Sequence, residues 1–210
     1  MSAAPPAIGP AREADIGPAV AMAARAFAQD PLMAFFFGPP APGRGATVAR
    51  FFTLLMTARV RLGAPALVLR GPEGIGGGIG GLAMGYATTM PDWPPAMVAE
   101  FEAWEATIPG LTERFAAYSA LADRHVPQAP HYYLGVLAVD PAGQGRGHGR
   151  ALVDAFAALA AADPAATGVY LETASPRSLA FYRAIGFRET GDGPLGEQHL
   201  WCLFRDLPRA

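Results

Sequence analysis

A glycine-rich turn between an apolar strand and an apolar helix is the segment of this sequence best suited to chemistry. The run from Leu134 to Val139 has strand length, and Asp140-Pro141 ends it because proline has no N–H for strand pairing. The turn QGRGHG follows at residues 144–149 and leads directly into a helix. The first N–H groups of a helix lack partners within it, and the helix dipole adds partial positive charge. The turn therefore predicts a site for a phosphate, which glycine lets the backbone approach closely.

Two other phosphate-binding loops do not fit this chain. The turn lacks the Gly-Lys-Ser/Thr ending of an NTPase loop, and all sixteen cationic residues are arginine, so no lysine is available. The dinucleotide pattern G-x-G-x-x-G fits Gly76 to Gly81, but a strand follows there instead of the required helix. We interpret residues 71–81 as a flexible hairpin turn.

A second informative segment lies downstream, from Tyr170 to Phe187. Ser175 is a natural N-cap, and a proline at the next position needs no N–H partner. Gly186 is expected to end the helix. Tyr182 shares a face with apolar residues three positions away, and on helix geometry alone it is a half-buried core tyrosine.

Together these segments resemble the GCN5-related N-acetyltransferase (GNAT) superfamily, in which Q-x-x-G-x-G binds the pyrophosphate of acetyl-CoA and Tyr-x-x-x-Gly-Phe closes the later helix. From His125 to Phe204, about two-fifths of the chain, the sequence is similar to the puromycin N-acetyltransferase group of bacterial enzymes. The matching stretches are His125-x-Pro127, Tyr133-Leu134, Val139-x-Pro141-x-x-Gln144-Gly145-x-Gly147-x-Gly149, Leu171-Glu172-Thr173, Phe181-Tyr182, Gly186-Phe187 and Trp201-Cys202. The resemblance implies an α/β (α+β three-layer) fold: a central mixed, mostly antiparallel, twisted sheet of six to seven strands, with a splayed parallel pair and helices on both faces.

The resemblance also implies that acetyl-CoA is the co-substrate and that no metal is needed. The implied cofactor-binding residues are Leu137, Ala138, Val139, Gln144, Gly145, Arg146, Gly147, His148, Gly149, Arg150, Ser175 and Tyr182. The pantetheine arm is expected to pair with the backbone of residues 137–139, and a backbone N–H near Ala138 is expected to stabilise the oxyanion. Many members carry asparagine at the position of Ser175, so that contact is left open. His148 is expected to face solvent.

Tyr182 and Glu172 are the expected catalytic residues. The resemblance places Tyr182 beside the cofactor sulfur, where it would protonate the departing thiolate, more easily if the site lowers its pKa. The amine must lose a proton before attack, and Glu172 is the first candidate base because it ends a strand that should line the cleft. The alternative is a structural carboxylate satisfied by backbone or arginine. Asp30, Tyr86 and His125 are candidates for the acceptor site, each with a structural role as the alternative.

Apolar periodicity predicts the elements that position these residues. Strands are predicted at 8–15, 66–70, 82–88, 131–139 and 168–173, followed by a closing hairpin to Phe204. Helices are predicted at 16–29, 44–62, 95–107, 111–123, 147–162 and 176–185, with an apolar loop from Leu32 to Gly43. In the second helix, Arg50, Arg59 and Arg61 are expected to point away from the apolar face.

Composition narrows the class of protein. A chain of 210 residues fits a single domain, predicted at 8–207 behind a flexible tail at 1–7. The net charge of −2, without a basic face, argues against a nucleic-acid partner. Cys202 is the only cysteine and the four histidines are scattered, so neither a disulfide nor a zinc site is expected. The absence of a signal-peptide pattern and of an apolar run of about 20 residues favours a cytoplasmic protein without a membrane partner.

The sequence thus predicts an N-acetyltransferase that acts on a primary amine of a small molecule. An aminonucleoside-like antibiotic, an amino acid, a polyamine and a peptide N-terminus are open as acceptors, and a homodimer is open as the assembly. Aromatic residues between Leu32 and Phe52 fit either an apolar pocket or the core. The alternatives are a non-catalytic protein that senses acyl-CoA, against which Tyr182 argues, and a dinucleotide-dependent enzyme.

Overall fold

A seven-stranded mixed sheet forms the centre of the fold. The computed structural model describes residues 7–71 and 78–208. Within them the strands are β1 (Ala7–Pro10), β2 (Ala66–Arg70), β3 (Ile79–Tyr86), β4 (Tyr132–Val139), β5 (Gly168–Thr173), β6 (Arg188–Leu195) and β7 (Gln198–Asp206). Their order in the sheet is β1-β2-β3-β4-β5-β7-β6. Only β4 and β5 pair in parallel, and the other neighbouring strands pair antiparallel, as predicted.

Helices cover both faces of the sheet. They are α1 (Ile16–Ala26), α2 (Pro31–Phe37), α3 (Arg44–Arg61), α4 (Pro95–Glu105), α5 (Leu111–Ala122), α6 (His148–Ala161) and α7 (Pro176–Ala184), with short 3-10 turns at Glu13–Asp15 and Pro141–Gly143. Helices α1 to α5 contribute to the core on one face, and α6 and α7 to the core on the other. The three-layer arrangement is the predicted one. None of the described helices has the length and apolar character needed to cross a membrane.

The first part of the chain departs from the prediction in two places. The first strand ends at Pro10 instead of continuing to residue 15, because a 3-10 turn occupies Glu13–Asp15. Of the predicted tail, residues 1–6 lie outside the described residues, and Ala7 already belongs to β1. Most of the glycine-rich turn that contains Gly76 also lies outside them, and β2 and β3 pair antiparallel on either side of it.

The stretch predicted as an apolar loop contains helix α2, so that prediction is wrong. Asp30 caps the helix: its Oδ1 accepts hydrogen bonds from the N–H groups of Leu32 at 2.9 Å and Met33 at 3.1 Å. Pro31 occupies the first helical position, where no N–H is needed, and Gly38 follows the last turn with a φ of +83°. Because Met33 and Phe36 are buried in the core, the helix is held by packing as well as by its cap.

Arg59 is buried, although the sequence prediction placed it away from the apolar face of α3. The residue is 4% exposed. It follows Phe52 by seven positions and Leu55 by four, so the helical repeat puts all three side chains on one face. Its guanidinium carbon lies 4.5 Å from the centre of the Tyr86 ring, a cation–π contact.

The parallel strands β4 and β5 separate shortly after they meet. Their pairing consists of Tyr132 with Val169 and Tyr133 with Tyr170. Beyond this point β5 pairs with β7, while β4 continues to Val139 along β3. The result is the predicted splayed pair, a wedge-shaped gap whose apex is at Tyr133.

A close backbone approach fixes the position of this apex. β3 has an irregularity between Met84 and Tyr86, and the N–H of Gly85 turns away to donate to Pro65 at 2.9 Å. A Cβ atom at Gly85 would overlap with the carbonyl oxygen of Tyr133. Only glycine therefore lets β3 lie so close to β4 at this level.

Candidate active site

The predicted phosphate turn has the backbone geometry of an anion site. After β4, Asp140 accepts a hydrogen bond from the N–H of Ala142 at 2.9 Å and so shapes the 3-10 turn. Gly145 and Gly147 then adopt left-handed φ angles of +79° and +82°, which glycine alone takes without strain. Gly147 is the N-cap of the 14-residue helix α6 and carries no capping side chain. The first N–H groups of α6 are thus left for a ligand.

A groove of about 650 Å³ lies over this turn. Nine of the predicted cofactor-binding residues line it: Leu137, Val139, Gln144, Gly145, Gly147, His148, Gly149, Arg150 and Ser175. Arg146 and Ala138 do not line it, and Arg177, which the sequence analysis did not single out, does. The hydroxyl of Ser175 accepts a hydrogen bond from the N–H of Ser178 at 3.3 Å, so its first role is to cap α7.

The backbone direction of β4 decides which amides near Ala138 face the wedge. The N–H of Asp140 donates to Gly80 of β3 at 3.0 Å, and Ala138 is paired with Leu82 two positions further along. Because N–H groups alternate in direction along a strand, the N–H of Ala138 also points toward β3. The N–H of Ala138 itself is therefore directed away from the wedge, and the amides near Ala138 that face the wedge are those of Leu137 and Val139.

His148 differs from its prediction. It is half-buried rather than solvent-facing, and its Nδ1 is buried without a hydrogen-bond partner among the described residues. The ring lies below Gly143, where a Cβ atom would come within 3.2 Å of Nδ1. The ring thus supports the floor of the turn.

An ion pair that sequence reasoning missed anchors the start of the turn. Arg25 of α1 donates to the buried carboxylate of Asp140 at 2.6 Å. Burial raises the pKa of Asp140, but the hydrogen bonds from Arg25 and Ala142 outweigh it, so the pKa lies below its usual value. The sequence prediction used Asp140 only to end strand β4. An aspartate directly before a proline is also typical of a residue whose side chain caps a turn, and this signal was present.

A second, more enclosed space, which we call the inner cavity, extends from the groove into the wedge. Its volume is about 270 Å³. Its walls combine the ring of Phe27, just after α1, and rings from α2 to α5 (Phe36, Phe51, Phe52, Phe101, Phe115) with β4 at residues 134–137 and with Tyr182. Three residues, Asp30, Leu137 and Ser178, line both spaces and mark their junction.

Tyr182 lies in the wall of the inner cavity and is 7% exposed. Its hydroxyl makes no hydrogen bond to a described residue. Burial, with a smaller contribution from the charge of Asp30, raises the pKa of Tyr182 well above its usual value. A lowered pKa would have eased proton donation to the thiolate, and the shift is in the opposite direction.

Asp30 places a carboxylate at the junction. One oxygen caps α2, as described above. Burial raises the pKa of Asp30, while the hydrogen bonds from Met33 and Leu32 and the charge of Arg44 oppose the rise. A carboxylate with a raised pKa beside a cavity suits proton exchange with an amine.

Glu172 is held by tyrosines, where the sequence analysis had considered backbone or arginine partners. Tyr118 donates to its carboxylate at 2.9 Å, and the Tyr118 hydroxyl lies 3.3 Å from that of Tyr133. Burial raises the pKa of Glu172, and hydrogen bonds from Tyr118, Tyr133 and Tyr170 lower it in part. Glu172 lines both the inner cavity and a further pocket on its other side.

That further pocket, which we call the outer pocket, contains one of the remaining candidates. Tyr86 lines it and accepts a hydrogen bond from Nε1 of Trp93 at 3.2 Å. The ring of His125 packs against Gly191 of β6, where a Cβ atom would overlap with it. His125 is not among the residues that line the groove, the inner cavity or the outer pocket. In the described ranges, no group of three or more acidic, histidine or cysteine side chains is arranged to hold a metal ion.

Comparison with known proteins identifies the class. Residues 82–187, just over half of the chain, match the model of the Acetyltransferase (GNAT) family. The protein therefore belongs to the GNAT acetyltransferase family, whose members use acetyl-CoA. The match contains the wedge, the phosphate turn and Tyr182.

Solved structures share the fold over the full length. The chain is similar to a structure described as histone acetyltransferase HPA2 and related acetyltransferase from Corynebacterium glutamicum, with 26% identity, 98% of each chain covered and a TM-score of 0.69. It also resembles the Drosophila melanogaster polyamine N-acetyltransferase that forms N-acetylagmatine, with 17% identity, 96% of this chain and 100% of that chain covered and a TM-score of 0.64. The ribosomal-protein-S18-alanine N-acetyltransferase of Escherichia coli gives 15% identity, coverage of 98% and 96%, and a TM-score of 0.55. At 17% and 15% identity, the last two comparisons show the fold.

Proposed function

We propose that this protein is an acetyl-CoA-dependent N-acetyltransferase that acts on a primary amine of a small molecule by direct attack in a ternary complex. The observation that carries the proposal is the junction between the groove and the inner cavity. The glycine-rich turn lines the groove, Tyr182 lines the inner cavity, and Asp30 lines both spaces, which supports one continuous path between them. A cofactor in the groove and an amine in the cavity would meet there.

The groove fits the cofactor. No atom lies within 4 Å of a Cβ built on Gly145 or Gly147, so the backbone at the turn is open to a bulky phosphate. The amides of residues 147–150 at the start of α6 would bind the diphosphate, with Arg150 and Arg177 supplying positive charge. The pantetheine arm would occupy the wedge and pair with the amides of Leu137 and Val139 as a strand does.

The chain supplies groups for both proton transfers. An alkyl ammonium with a pKa of about 10.4 must lose a proton before its nitrogen can attack the thioester carbonyl. We assign this proton to Asp30 because its carboxylate lies at the junction, whereas Glu172 lies on the side of the outer pocket; Glu172 stays the second candidate. As the C–N bond forms and the C–S bond breaks, the thiolate receives a hydrogen bond and then a proton from Tyr182, and the second proton that the nitrogen loses restores the Tyr182 hydroxyl. Because its pKa is raised, Tyr182 is protonated at neutral pH, but full transfer of its proton to the thiolate is less favourable than from an ordinary tyrosine, so its hydrogen bond to the thiolate supplies the stabilisation.

The test is thiol release from acetyl-CoA in the presence of a panel of amines. The panel contains an aminonucleoside, a set of amino acids, agmatine and a short peptide. Turnover with at least one amine, together with coenzyme A binding by native mass spectrometry, supports the proposal. Binding without turnover across the panel would favour an acyl-CoA sensor, and failure to bind coenzyme A at millimolar concentration would refute both.

Three finer expectations accompany the proposal. The resemblance of residues 125–204 to the puromycin N-acetyltransferase group supports an aminonucleoside-like antibiotic as one acceptor to test. A bacterial, cytoplasmic enzyme is expected from the same resemblance and from the composition. A homodimer stays open, and light scattering of the purified protein would decide it.

A further inference from the structure

Arg59 brings a buried positive charge to the wall of the inner cavity. The residue is 4% exposed and lines the cavity together with aromatic rings. Its Nη1 donates to the carbonyl oxygen of Leu55 at 3.0 Å, while Nε is buried without a hydrogen-bond partner among the described residues. An arginine keeps its charge in proteins, so burial does not remove the need for a counter-charge.

No side chain in the described ranges supplies that counter-charge. The ion pairs found there involve other arginines and His199, and Arg59 is in none of them. The carboxylate of Glu172 accepts a hydrogen bond from the hydroxyl of Tyr118 and lies outside ion-pair distance of Arg59. Tyr86 offers only the face of its ring, at 4.5 Å. Because an unpaired buried charge is costly, the arrangement points to a ligand that completes it.

The position of Arg59 says which end of a ligand it would contact. The Tyr86 ring beneath it stacks on Tyr133, with 6.5 Å between ring centres. Tyr133 lines both the inner cavity and the outer pocket, so Arg59 belongs to the end of the cavity away from the groove. The opposite end is the junction at Asp30, where the reacting amine must lie.

We infer that the acceptor is an amino carboxylate, a molecule with its primary amine at one end, an apolar middle and a carboxylate that pairs with Arg59 at the other. The inference rests on the proposed function for the amine end only. A single guanidinium balances one negative charge, and its planar edge matches a carboxylate. The aromatic walls between the two ends favour an apolar body. A cavity of about 270 Å³ lies at the lower limit of small-molecule sites, which limits that body to roughly the size of one ring.

Binding is tested first with probes that have no amine and so do not depend on catalysis. Calorimetry compares 4-methylbenzoate with its neutral counterpart 4-methylbenzamide on the wild-type protein. We expect the carboxylate to bind at least about 10-fold more tightly, as for a charged hydrogen bond. Arg59→Met should remove this preference. Arg50→Met is the matched control, because Arg50 lies on the same helix but is exposed and paired with Glu100 at 2.7 Å; it should keep the preference.

Turnover is tested with matched amines. With 4-(aminomethyl)benzoate and benzylamine, the ratio of kcat/KM should exceed about 10 in the wild type and approach 1 in Arg59→Met. Equal binding of 4-methylbenzoate and 4-methylbenzamide by the wild type would overturn the inference, even if the protein acetylates other amines and even if Arg59→Met does not fold. Retention of the preference in folded Arg59→Met would also overturn it. Selective, Arg59-dependent binding without any acetyl transfer would leave the inference standing and reject the proposed function alone.

Discussion

Replacing Tyr182 by phenylalanine separates the proposed catalytic role from a structural one. The ring is buried against Phe181 and Phe187, with ring centres 5.2 and 5.4 Å away, and phenylalanine preserves these contacts. The hydroxyl makes no hydrogen bond to a described residue, so its removal breaks no bond in the folded protein. We expect the free energy of unfolding to change by less than about 1 kcal/mol.

The effect on turnover should be much larger. A positioned proton donor contributes about 10²-fold or more, equivalent to roughly 2.7 kcal/mol of transition-state stabilisation. The expected result for Tyr182→Phe is a fall of about 100-fold in kcat and a change of less than about threefold in the KM for acetyl-CoA. Because the pKa of Tyr182 is raised, its hydroxyl stays protonated up to at least about pH 10, so it should cause no loss of wild-type activity between pH 7 and 9.

Thiol release under saturating amine measures kcat, and thermal unfolding followed by circular dichroism measures stability. Tyr132→Phe is the matched control: it removes the same group from a ring that is 8% exposed and does not line the inner cavity. Its kcat should equal that of the wild type. If Tyr182→Phe kept its kcat within about threefold of the wild-type value, the assignment of Tyr182 as the proton donor would be refuted.

Three further predictions concern other parts of the site. Gly147→Ala should lower the free energy of unfolding by about 1–2 kcal/mol, because Gly147 has a φ of +82°. The control Gly45→Ala, at a helical position of α3, should be neutral or stabilising. Equal stability of Gly147→Ala and wild type in denaturant titrations would contradict the prediction. Asp30→Asn keeps an N-cap acceptor but loses the charge, so kcat/KM should fall about 100-fold with little change in stability; unchanged kcat/KM would reject Asp30 as the base. The stability that the ionised Asp140 provides should be complete above its ordinary pKa of 3.8 and be lost as the pH falls through its lower folded-state pKa. Urea titrations of wild type and Asp140→Asn from pH 2 to 7 should therefore show a difference in the free energy of unfolding that shrinks below pH 3.8. A constant difference would argue against the ion pair with Arg25.

The glycine-rich turn at residues 144–149 and the later helix could be predicted from the sequence because their signals are local. A glycine that must adopt a left-handed φ, such as Gly147, and a serine that caps a helix followed by proline, such as Ser175, act within a few residues of their own position. Glycine spacing after an apolar strand was therefore sufficient to locate the groove.

Helix α2 was missed although its signals were present. Asp30-Pro31 was read as the end of the preceding helix, whereas the same pair is a natural cap and first residue of a new one. Three consecutive phenylalanines then hid the helical period, because every position in the run is apolar. The local pattern fits both interpretations, and only the burial of Met33 and Phe36 in the core decides between them.

Other features depend on contacts between distant segments. The direction of the Ala138 amide follows from the register of β4 on β3, and the pKa of Tyr182 follows from burial that the whole fold creates. Arg59 is an intermediate case. Its spacing from Phe52 and Leu55 already placed it on the apolar face, but a charged side chain was assumed to reach solvent.

The glycine at position 85 has a consequence for any large-scale substitution experiment on this protein. It touches no cofactor or acceptor in the proposed mechanism and carries no chemical group, yet each of the nineteen alternatives would push β3 away from the point where the two parallel strands diverge. A survey of variants selected for activity should therefore rank this position among the least tolerant in the chain. Low tolerance to substitution at position 85 would therefore not indicate a reactive side chain. It would indicate that the close approach of β3 to β4 leaves no space for a Cβ atom.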